Sequence, residues 1–214
     1  MKSESLPRVA RKRERTRGEL VAAAERLVAQ RGLDALSIDD ITEEADVAKG
    51  TFYTHFTDKD DIAAAIARHI RLELEDKITA TNEGITDAAT RMANGLSSLL
   101  AFAIAQPVRA RALLRLIPDG VDPETPINAG IRGDVEMGVK SKRFTVASVN
   151  AAVVAMIGIA MSTAMHLTDA KRRVADPLAF AAEALTTALA ALGVKQAEAA
   201  RLAAAATTAR RKEA

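Results

Sequence analysis

Hydroxyl, phenol, imidazole and ammonium groups are concentrated between Ser37 and Lys59, in the stretch SIDDITEEADVAKGTFYTHFTDK. Phe52 and Phe56 stand four residues apart in its second half, which places both rings on one face of a helix. The polar side chains between them then point away from that face, and such groups can bond phosphate oxygens and base edges. The pattern indicates a surface for nucleic acid, although any helical hairpin can share its rhythm.

Two short helices and a tight turn are needed to position these groups. Apolar residues recur at steps of three and four from Ile38 to Ala45, as in an amphipathic helix. Ser37 is a favourable N-cap, and Asp40 provides a weaker, carboxylate version of a capping box. Asp46 occupies the turn, where the chain needs a left-handed residue. Two helices joined in this way form the helix-turn-helix unit that reads DNA.

The composition favours an all-helical protein. Hydrophobic residues make up 49% of the 214 residues and aromatic residues only 3%, with abundant alanine. The length suggests one domain or two small ones. The absence of cysteine excludes disulfides, thiol catalysis and cysteine metal sites, and it fits a reducing cytoplasm. The polar N-terminus lacks the apolar region of a secretory signal, so we expect a cytoplasmic protein.

Positive charge is concentrated at the N-terminus. The formal net charge of the chain is +2, whereas residues 1–20 carry seven basic and three acidic side chains. A basic arm ahead of a helix-turn-helix suits contact with phosphate. The alternative is an ordinary solvated tail. In either case we expect residues 1–11 to be disordered.

Apolar periodicity predicts helices along the rest of the chain. The first begins near Glu14 and ends at Gly32, and a turn-rich loop is expected at residues 118–126. No strand, internal repeat or low-complexity linker is evident. The further helices are predicted at residues 38–45, 48–56, 58–81, 86–106 with Thr86 as its cap, 108–117, from after residue 126 to about Lys140, 146–168, 176–193 and 195–209.

The segment 144–168 contains no aspartate, glutamate, lysine or arginine, and its length satisfies the criterion for a membrane span. Its apolar residues are largely alanine, however, and serine, threonine and asparagine interrupt it. A helix buried on several sides by protein is the favoured interpretation. Small residues at steps of three and four from Ala147 to Ser162 would permit close approach of a second helix.

Residues 16–66 resemble the TetR family of bacterial transcriptional regulators. The resemblance is carried by QRG at 30–32, LSIDDI at 36–41, ADVAKGTFYTHF at 45–56 and KDDI at 59–62. It implies an all-α protein in which an N-terminal three-helix helix-turn-helix DNA-binding domain joins a larger helical effector-binding and dimerisation domain. We place the DNA-binding domain at residues 12–58, the effector and dimerisation domain at 59–193, and an Ala-rich C-terminal helix or tail at 194–214.

Two residues depart from the family pattern. The family usually has glycine where this chain has Asp46, which tolerates the left-handed conformation better than most residues do. The family commonly has serine or threonine as the cap of the recognition helix, where this chain has Ala48. The loss of such a cap costs on the order of 1 kcal/mol. We therefore expect a slightly less rigid helix-turn-helix than is typical.

The resemblance assigns the DNA contacts. Lys49 suits guanine O6 and N7 or a phosphate, and Gly50 permits close approach of the backbone. Thr51 offers a hydroxyl and a methyl group, and Tyr53 carries its hydroxyl to a phosphate. The alternatives are a core ring for Tyr53 and plain surface roles for the histidine and lysines. The predicted DNA-binding residues are Arg17, Ser37, Lys49, Gly50, Thr51, Tyr53, His55 and Lys59.

The family plan also implies an interface and a pocket. Helices 146–168 and 176–193 should pair with their mates in a homodimer, which would bind a palindromic operator in double-stranded DNA. The predicted interface residues are Ala147, Ala151, Ala155, Gly158, Ser162, Leu178, Leu185 and Leu189. An apolar effector pocket is predicted from Met92, Leu96, Leu99, Phe102, Leu113, Met137 and Met156, for each of which plain helical core is the alternative.

These expectations describe a cytoplasmic repressor that an apolar small molecule releases from its operator. The alternatives are an activator or an architectural DNA-binding protein without a ligand, an enzyme, and a membrane-inserted sensor. The sequence shows no nucleophile paired with a base and no glycine-rich phosphate loop, so no enzyme is expected. His69 and His166 are isolated, and we therefore expect no metal site and no cofactor.

Overall fold

The computed structural model describes residues 8–115, 128–172 and 174–211. These residues form α-helices joined by short turns, with a single 3-10 turn at Leu33–Ala35 and no strand among them, which confirms the predicted all-α class. The helices are α1 (Arg8–Arg31), α2 (Ile38–Glu44), α3 (Lys49–Tyr53), α4 (Lys59–Thr81), α5 (Ala88–Ala105), α6 (Pro107–Arg115), α7 (Ala129–Lys140), α8 (Val149–Thr168), α9 (Pro177–Ala191) and α10 (Gln196–Arg211).

The chain divides into two compact units between Ile70 and Arg71. This division falls inside α4, whereas the domain limit expected from the sequence, residue 58, immediately precedes that helix. Ile62, Ile66 and Ile70 on the first half of α4 are all buried in the first unit. The assignment of separate functions to the two parts of the chain stays a prediction.

The core of the first unit is built from one apolar stripe of each helix. Leu20 and Val28 of α1, Ile41 of α2 and Phe52 of α3 are fully buried. The helix α1 begins at Arg8 rather than near Glu14, so the expected disorder of residues 8–11 is wrong. Arginine, lysine, glutamate and alanine dominate this stretch and are strong helix formers. Residues 1–7 of the predicted arm lie outside the described part of the chain.

In the second unit, α5 is the central helix and packs against each of α6 to α10. Met92 and Leu100 of α5 are almost completely buried. The last helix, α10, also belongs to this core, because Ala199 and Ala203 are fully buried and α10 packs along α9 and α5. The predicted limit between residues 193 and 194 is therefore not a boundary between compact units.

An arginine joins three parts of the second unit. Nε of Arg143 lies 2.7 Å from Oδ1 of Asp87, and its Nη2 lies 2.7 Å from Oε1 of Glu198. These bonds tie the loop before α8 to the start of α5 and to α10. Burial raises the pKa of Asp87, but the bonds from Arg143 and Thr90 outweigh it, so that this pKa lies below its usual value.

Several predicted helix ends shift because a neighbouring side chain provides the cap. Asp87 rather than Thr86 caps α5 and accepts a 2.9 Å hydrogen bond from Thr90 N. Ser148 caps α8, so the helix predicted from residue 146 begins at Val149. The helix predicted at 108–117 is Pro107–Arg115, and the loop predicted at 118–126 lies outside the described residues.

Among the described helices, α8 alone is long and apolar enough to cross a membrane. Of its most apolar window, 44% is buried inside the protein. A core helix of a soluble protein meets the same criterion of length and composition, so this helix is weak evidence for a membrane span.

Candidate nucleic-acid interface and ligand cavity

The turn between α2 and α3 is fixed by local geometry. Ser37 caps α2, since its Oγ accepts a 3.1 Å hydrogen bond from Asp40 N and its hydroxyl donates to the Asp40 carboxylate. Asp46 has a φ of 52°, the left-handed conformation that the sequence predicts. Val47 N then donates to Thr42 O at 3.0 Å, which brings the chain round to α3.

Helix α3 presents two different faces. Phe52 is fully buried and Phe56, just beyond the helix, is 2% exposed, with 5.6 Å between the ring centroids. Tyr53 is 54% exposed on the other side, which excludes the alternative that it is a core ring. Lys49 and Gly50 are also exposed, and Thr51 is half-buried. The helix N-terminus at Ala48 has no side-chain cap, as expected.

Lys49 and Lys59 both have partners in the protein. Lys49 Nζ lies 2.7 Å from Oδ1 of Asp39 on α2. The hydrogen bond that Lys49 donates to this carboxylate, followed by the charge of the carboxylate, raises the pKa of Lys49. Lys59 Nζ donates to the backbone oxygen of Asp34 at 3.4 Å. A phosphate or base that engages Lys49 must therefore compete with Asp39.

The basic helix α1 lies beside the end of α3. The guanidinium of Arg17 stands over the Phe56 ring, 4.8 Å from its centroid, and Arg13 donates to Thr54 O at 3.4 Å. His55 is half-buried, and its Nδ1 has no partner among the described residues. Burial, followed by the charges of Arg13 and Arg17, lowers the pKa of His55. Sequence reasoning did not single out Arg13, which it treated only as part of the arm's charge.

A cavity of about 930 Å³ lies within the second unit, lined by the end of α4 and by α5, α6, α7 and α8. Four of the predicted pocket residues line it, namely Met92, Leu96, Leu99 and Leu113.

Three other predicted pocket residues do not line the cavity. Met156 is fully buried in the core, and Met137 is 37% exposed at the surface. Phe102 packs under the guanidinium of Arg109, 5.6 Å from its ring centroid. These three residues therefore lie outside the cavity lining. The apolar stripe of a helix does not reveal which of its members face empty space.

The polar part of the cavity wall was missed by sequence reasoning. Arg91 on α5 and Asp134 on α7 both line the cavity, and Arg91 Nε lies 2.6 Å from Asp134 Oδ1. These residues are 43 positions apart in the sequence. An arginine or aspartate within an amphipathic helix carries no local signal of its partner.

The predicted interface residues fall into two groups. Those of α8 and the preceding loop are exposed or half-buried, as is Leu178 of α9. Leu185 and Leu189 are 1% and 0% exposed, because α9 turns these side chains toward α5 and α10 of its own chain. Their predicted contact with a partner is wrong. The exposed or half-buried members are Ala147, Ala151, Ala155, Gly158, Ser162 and Leu178.

The described residues were also compared with the ligand sets of metal sites. Within the described ranges, no group of three or more histidine, aspartate or glutamate side chains could hold a metal ion.

The first unit matches a known family. Residues 20–66 match the sequence model described as "Bacterial regulatory proteins, tetR family". A curated relative, the uncharacterized HTH-type transcriptional regulator YvdT of Bacillus subtilis (strain 168), is 35% identical over 69 residues. Those residues are 32% of this chain and 36% of the relative, so the match spans about a third of each protein.

Solved structures extend the likeness to most of the chain. RolR in complex with resorcinol is 26% identical with a TM-score of 0.65, over 91% of this chain and 95% of that chain. A gamma-butyrolactone receptor (ArpA-like protein) is 18% identical with a TM-score of 0.62, over 93% and 99% of the two chains, and shows a shared fold. Residues 20–66 thus carry the DNA-binding region of bacterial regulatory proteins of the tetR family, and the chain shares the helical fold of RolR over most of its length.

Proposed function

We propose that the protein is a homodimeric transcriptional repressor of the cytoplasm that binds a palindromic operator and is released by a small molecule. The observation that carries the DNA-binding part is the division of α3 into a buried aromatic face and an exposed polar face. The buried face fixes the helix, so that the exposed face is available to enter a major groove.

The chemistry of the exposed face suits DNA. Lys49 is placed to bond guanine or a phosphate once it leaves Asp39, and Gly50 leaves room for the backbone to come close. Tyr53 can donate its exposed hydroxyl to a phosphate oxygen. Arg17 and the basic start of α1 add attraction that does not depend on sequence.

An exposed apolar stripe on α8 supports the dimer. Ala151 and Ala155 are exposed beside Val154 at 40% and Met165 at 59% exposure. Small side chains allow two helices to approach closely, and the larger ones supply apolar area to bury. A two-fold dimer would present its recognition helices to half-sites one helical turn apart, about 34–36 Å.

The cavity supports control by a ligand over the ligand-independent alternative. Its volume of about 930 Å³ is that of pockets that enclose drug-sized molecules, about 300–1,000 Å³. RolR, whose fold this chain shares, was solved with resorcinol. A ligand that binds better to the form of the protein that does not fit the operator would shift the population away from DNA.

Selection of bound sequences from random duplex DNA tests the function directly. We expect a palindrome with half-sites about one helical turn apart. A selection that yields no enriched sequence would contradict the proposal.

Substitutions on α3 test the recognition surface on the selected DNA. Lys49→Ala and Tyr53→Phe should each weaken binding. Lys49→Ala removes a positive charge and should also reduce the salt slope by about 1, whereas Tyr53→Phe removes a neutral hydroxyl and should leave the slope unchanged. Asp39→Asn should strengthen binding, because it frees Lys49 and removes a negative charge near DNA.

Lys140→Ala is the matched control, since it removes an exposed lysine at the end of α7 in the other unit. Its affinity and salt slope should equal those of the unaltered protein. Full affinity and an unchanged salt slope in both Lys49→Ala and Tyr53→Phe would show that α3 is not the recognition helix.

A further inference from the structure

The cavity in the second unit has a largely apolar wall. Aliphatic and methionine side chains line most of it, and no aromatic ring is present among its described lining residues. Such a wall favours an aliphatic ligand body over a flat ring that requires stacking. The apolar lining includes Leu74, Met92, Leu96, Leu99, Ile131 and Met161.

One part of the wall is polar, and most of its hydrogen-bonding capacity is already used. Arg91 gives its Nε to Asp134 and its Nη1 to the backbone oxygen of Asn82 at 3.2 Å. The side chain of Asn82 donates to Arg91 O at 3.2 Å and accepts from Asn94 Nδ2 at 3.0 Å. Nε and Nη1 of the guanidinium and both ends of this amide are therefore engaged within the protein.

Asp134 keeps one free acceptor. It is 8% exposed, and its Oδ1 accepts the 2.6 Å bond from Arg91. Its Oδ2 has no hydrogen-bond partner within the part of the chain that the structure describes. An acceptor oxygen without a partner, on a nearly buried residue that lines a cavity, is a place for a ligand donor.

The charge of the wall opposes an anionic ligand. Two of its ionisable side chains are basic and four are acidic, and both arginines bond carboxylates of the same wall. An anionic group would lose its hydration and meet net negative charge. A cationic group would find Asp134 already paired with Arg91. The ionisable lining residues are Arg71, Glu75, Asp76, Glu83, Arg91 and Asp134.

We propose that the cavity binds an uncharged, largely aliphatic molecule that carries a hydroxyl group, and that this hydroxyl donates a hydrogen bond to Asp134 Oδ2. The aliphatic part lies against the leucine, isoleucine and methionine side chains of α4, α5 and α8. This inference rests on the proposed effector role of the cavity, and it names the chemical class of that effector.

Three probes of equal chain length test the class: 1-octanol, octanoate and octylammonium, each titrated calorimetrically into the full-length protein without DNA. We expect 1-octanol to bind at least about tenfold more tightly than octanoate, because only octanoate must bury an unpaired anion. It should also bind more tightly than octylammonium. Equal or tighter binding of either charged probe would overturn the proposal.

Asp134→Asn tests the named contact. The change replaces a charged acceptor by a neutral one and leaves Arg91 without its counter-ion, so the preference for 1-octanol over octanoate should fall by about fivefold. Asp76→Asn is the matched control, because Asp76 is an exposed carboxylate of the same wall. The preference of this control variant for 1-octanol over octanoate should stay within about twofold of that of the unaltered protein.

Equal shifts of the preference in both variants would overturn the contact with Asp134. If Asp134→Asn fails to fold, as far-ultraviolet circular dichroism would show, the comparison of the three probes on the unaltered protein still decides the class of ligand. Operator release is measured separately. Binding of 1-octanol with the expected preference but without release of DNA would support this inference and contradict the proposed effector role.

Discussion

Gly138 is the position where a single added methyl group should have the clearest effect on stability. A β-carbon built there would lie 2.0, 2.4 and 2.6 Å from three ring carbons of Phe144. That ring is 3% exposed, and the backbone N–H groups of Arg143 and Phe144 both donate to Gly138 O, at 2.7 and 2.9 Å. The ring cannot move away without breaking these bonds or leaving its buried site.

The magnitude of the change follows from two opposing effects. Overpacking a core site typically costs about 1–3 kcal/mol, and contact with three ring atoms places Gly138→Ala at the upper end of that range. Alanine recovers at most about 1 kcal/mol over glycine through helix propensity, and less near a helix end. The net destabilisation should be about 2 kcal/mol.

Gly133→Ala is the matched control on the same helix. A β-carbon there meets nothing within 4 Å, and the position is exposed. Only the gain in helix propensity applies, so this variant should be more stable by about 0.5–1 kcal/mol.

Thermal unfolding followed by circular dichroism, at one protein concentration, measures both variants. For a chain of this size each kcal/mol shifts Tm by roughly 2–4 °C. We expect Gly138→Ala to lower Tm by about 4–8 °C and Gly133→Ala to raise it by about 2 °C. Shifts of the same sign in the two variants would refute the argument that Phe144 occupies the space above Gly138.

Other predictions concern the first unit. Ala48→Ser should cap α3 and add about 1 kcal/mol. Amide exchange across Val47–Thr51 should then slow, and unchanged exchange would contradict the cap. Asp46→Gly removes the left-handed strain at φ 52° and should raise unfolding stability by about 1 kcal/mol; a lower midpoint in urea would argue against such strain. The pKa of His55 is lowered below 6.5 in the folded state, first by burial. The unfolded state therefore takes up the proton more readily, so this contribution to stability is present above pH 6.5 and is lost as pH falls through the folded pKa. His55→Gln should flatten the decline of Tm between pH 7 and 5, and an identical decline would refute the assignment.

Local rules predicted the helix-turn-helix well. The spacing of Phe52 and Phe56 fixes which face is inward, because residues four apart share one side of a helix. Ser37 caps α2 and Asp46 adopts a positive φ, since both properties depend on the residue and its immediate neighbours. The same reasoning placed Gly32 at the end of α1, where its φ is 82°.

The second unit was less predictable, because its details depend on contacts between distant residues. Helix α9 is apolar over most of its surface, so the sequence did not show that Leu185 and Leu189 face the chain's own core. The ion pair of Arg91 with Asp134 joins two helices without a signal in either. Gly138 of α7 makes room for the ring of Phe144, a contact that depends on the loop after the helix and that no local pattern indicates.

The two faces of α3 also bear on how a regulator of this kind can change its target. Phe52 and Phe56 supply the packing, whereas Lys49 and Tyr53 extend into solvent and add little to folding. Exposed substitutions usually alter stability by no more than about 0.5 kcal/mol. Under the proposed function, new operator preferences can therefore arise by single substitutions that leave the helix-turn-helix folded. The residues of α3 that would select the operator therefore differ from the residues that stabilise the fold, and the two sets can change in evolution at different rates.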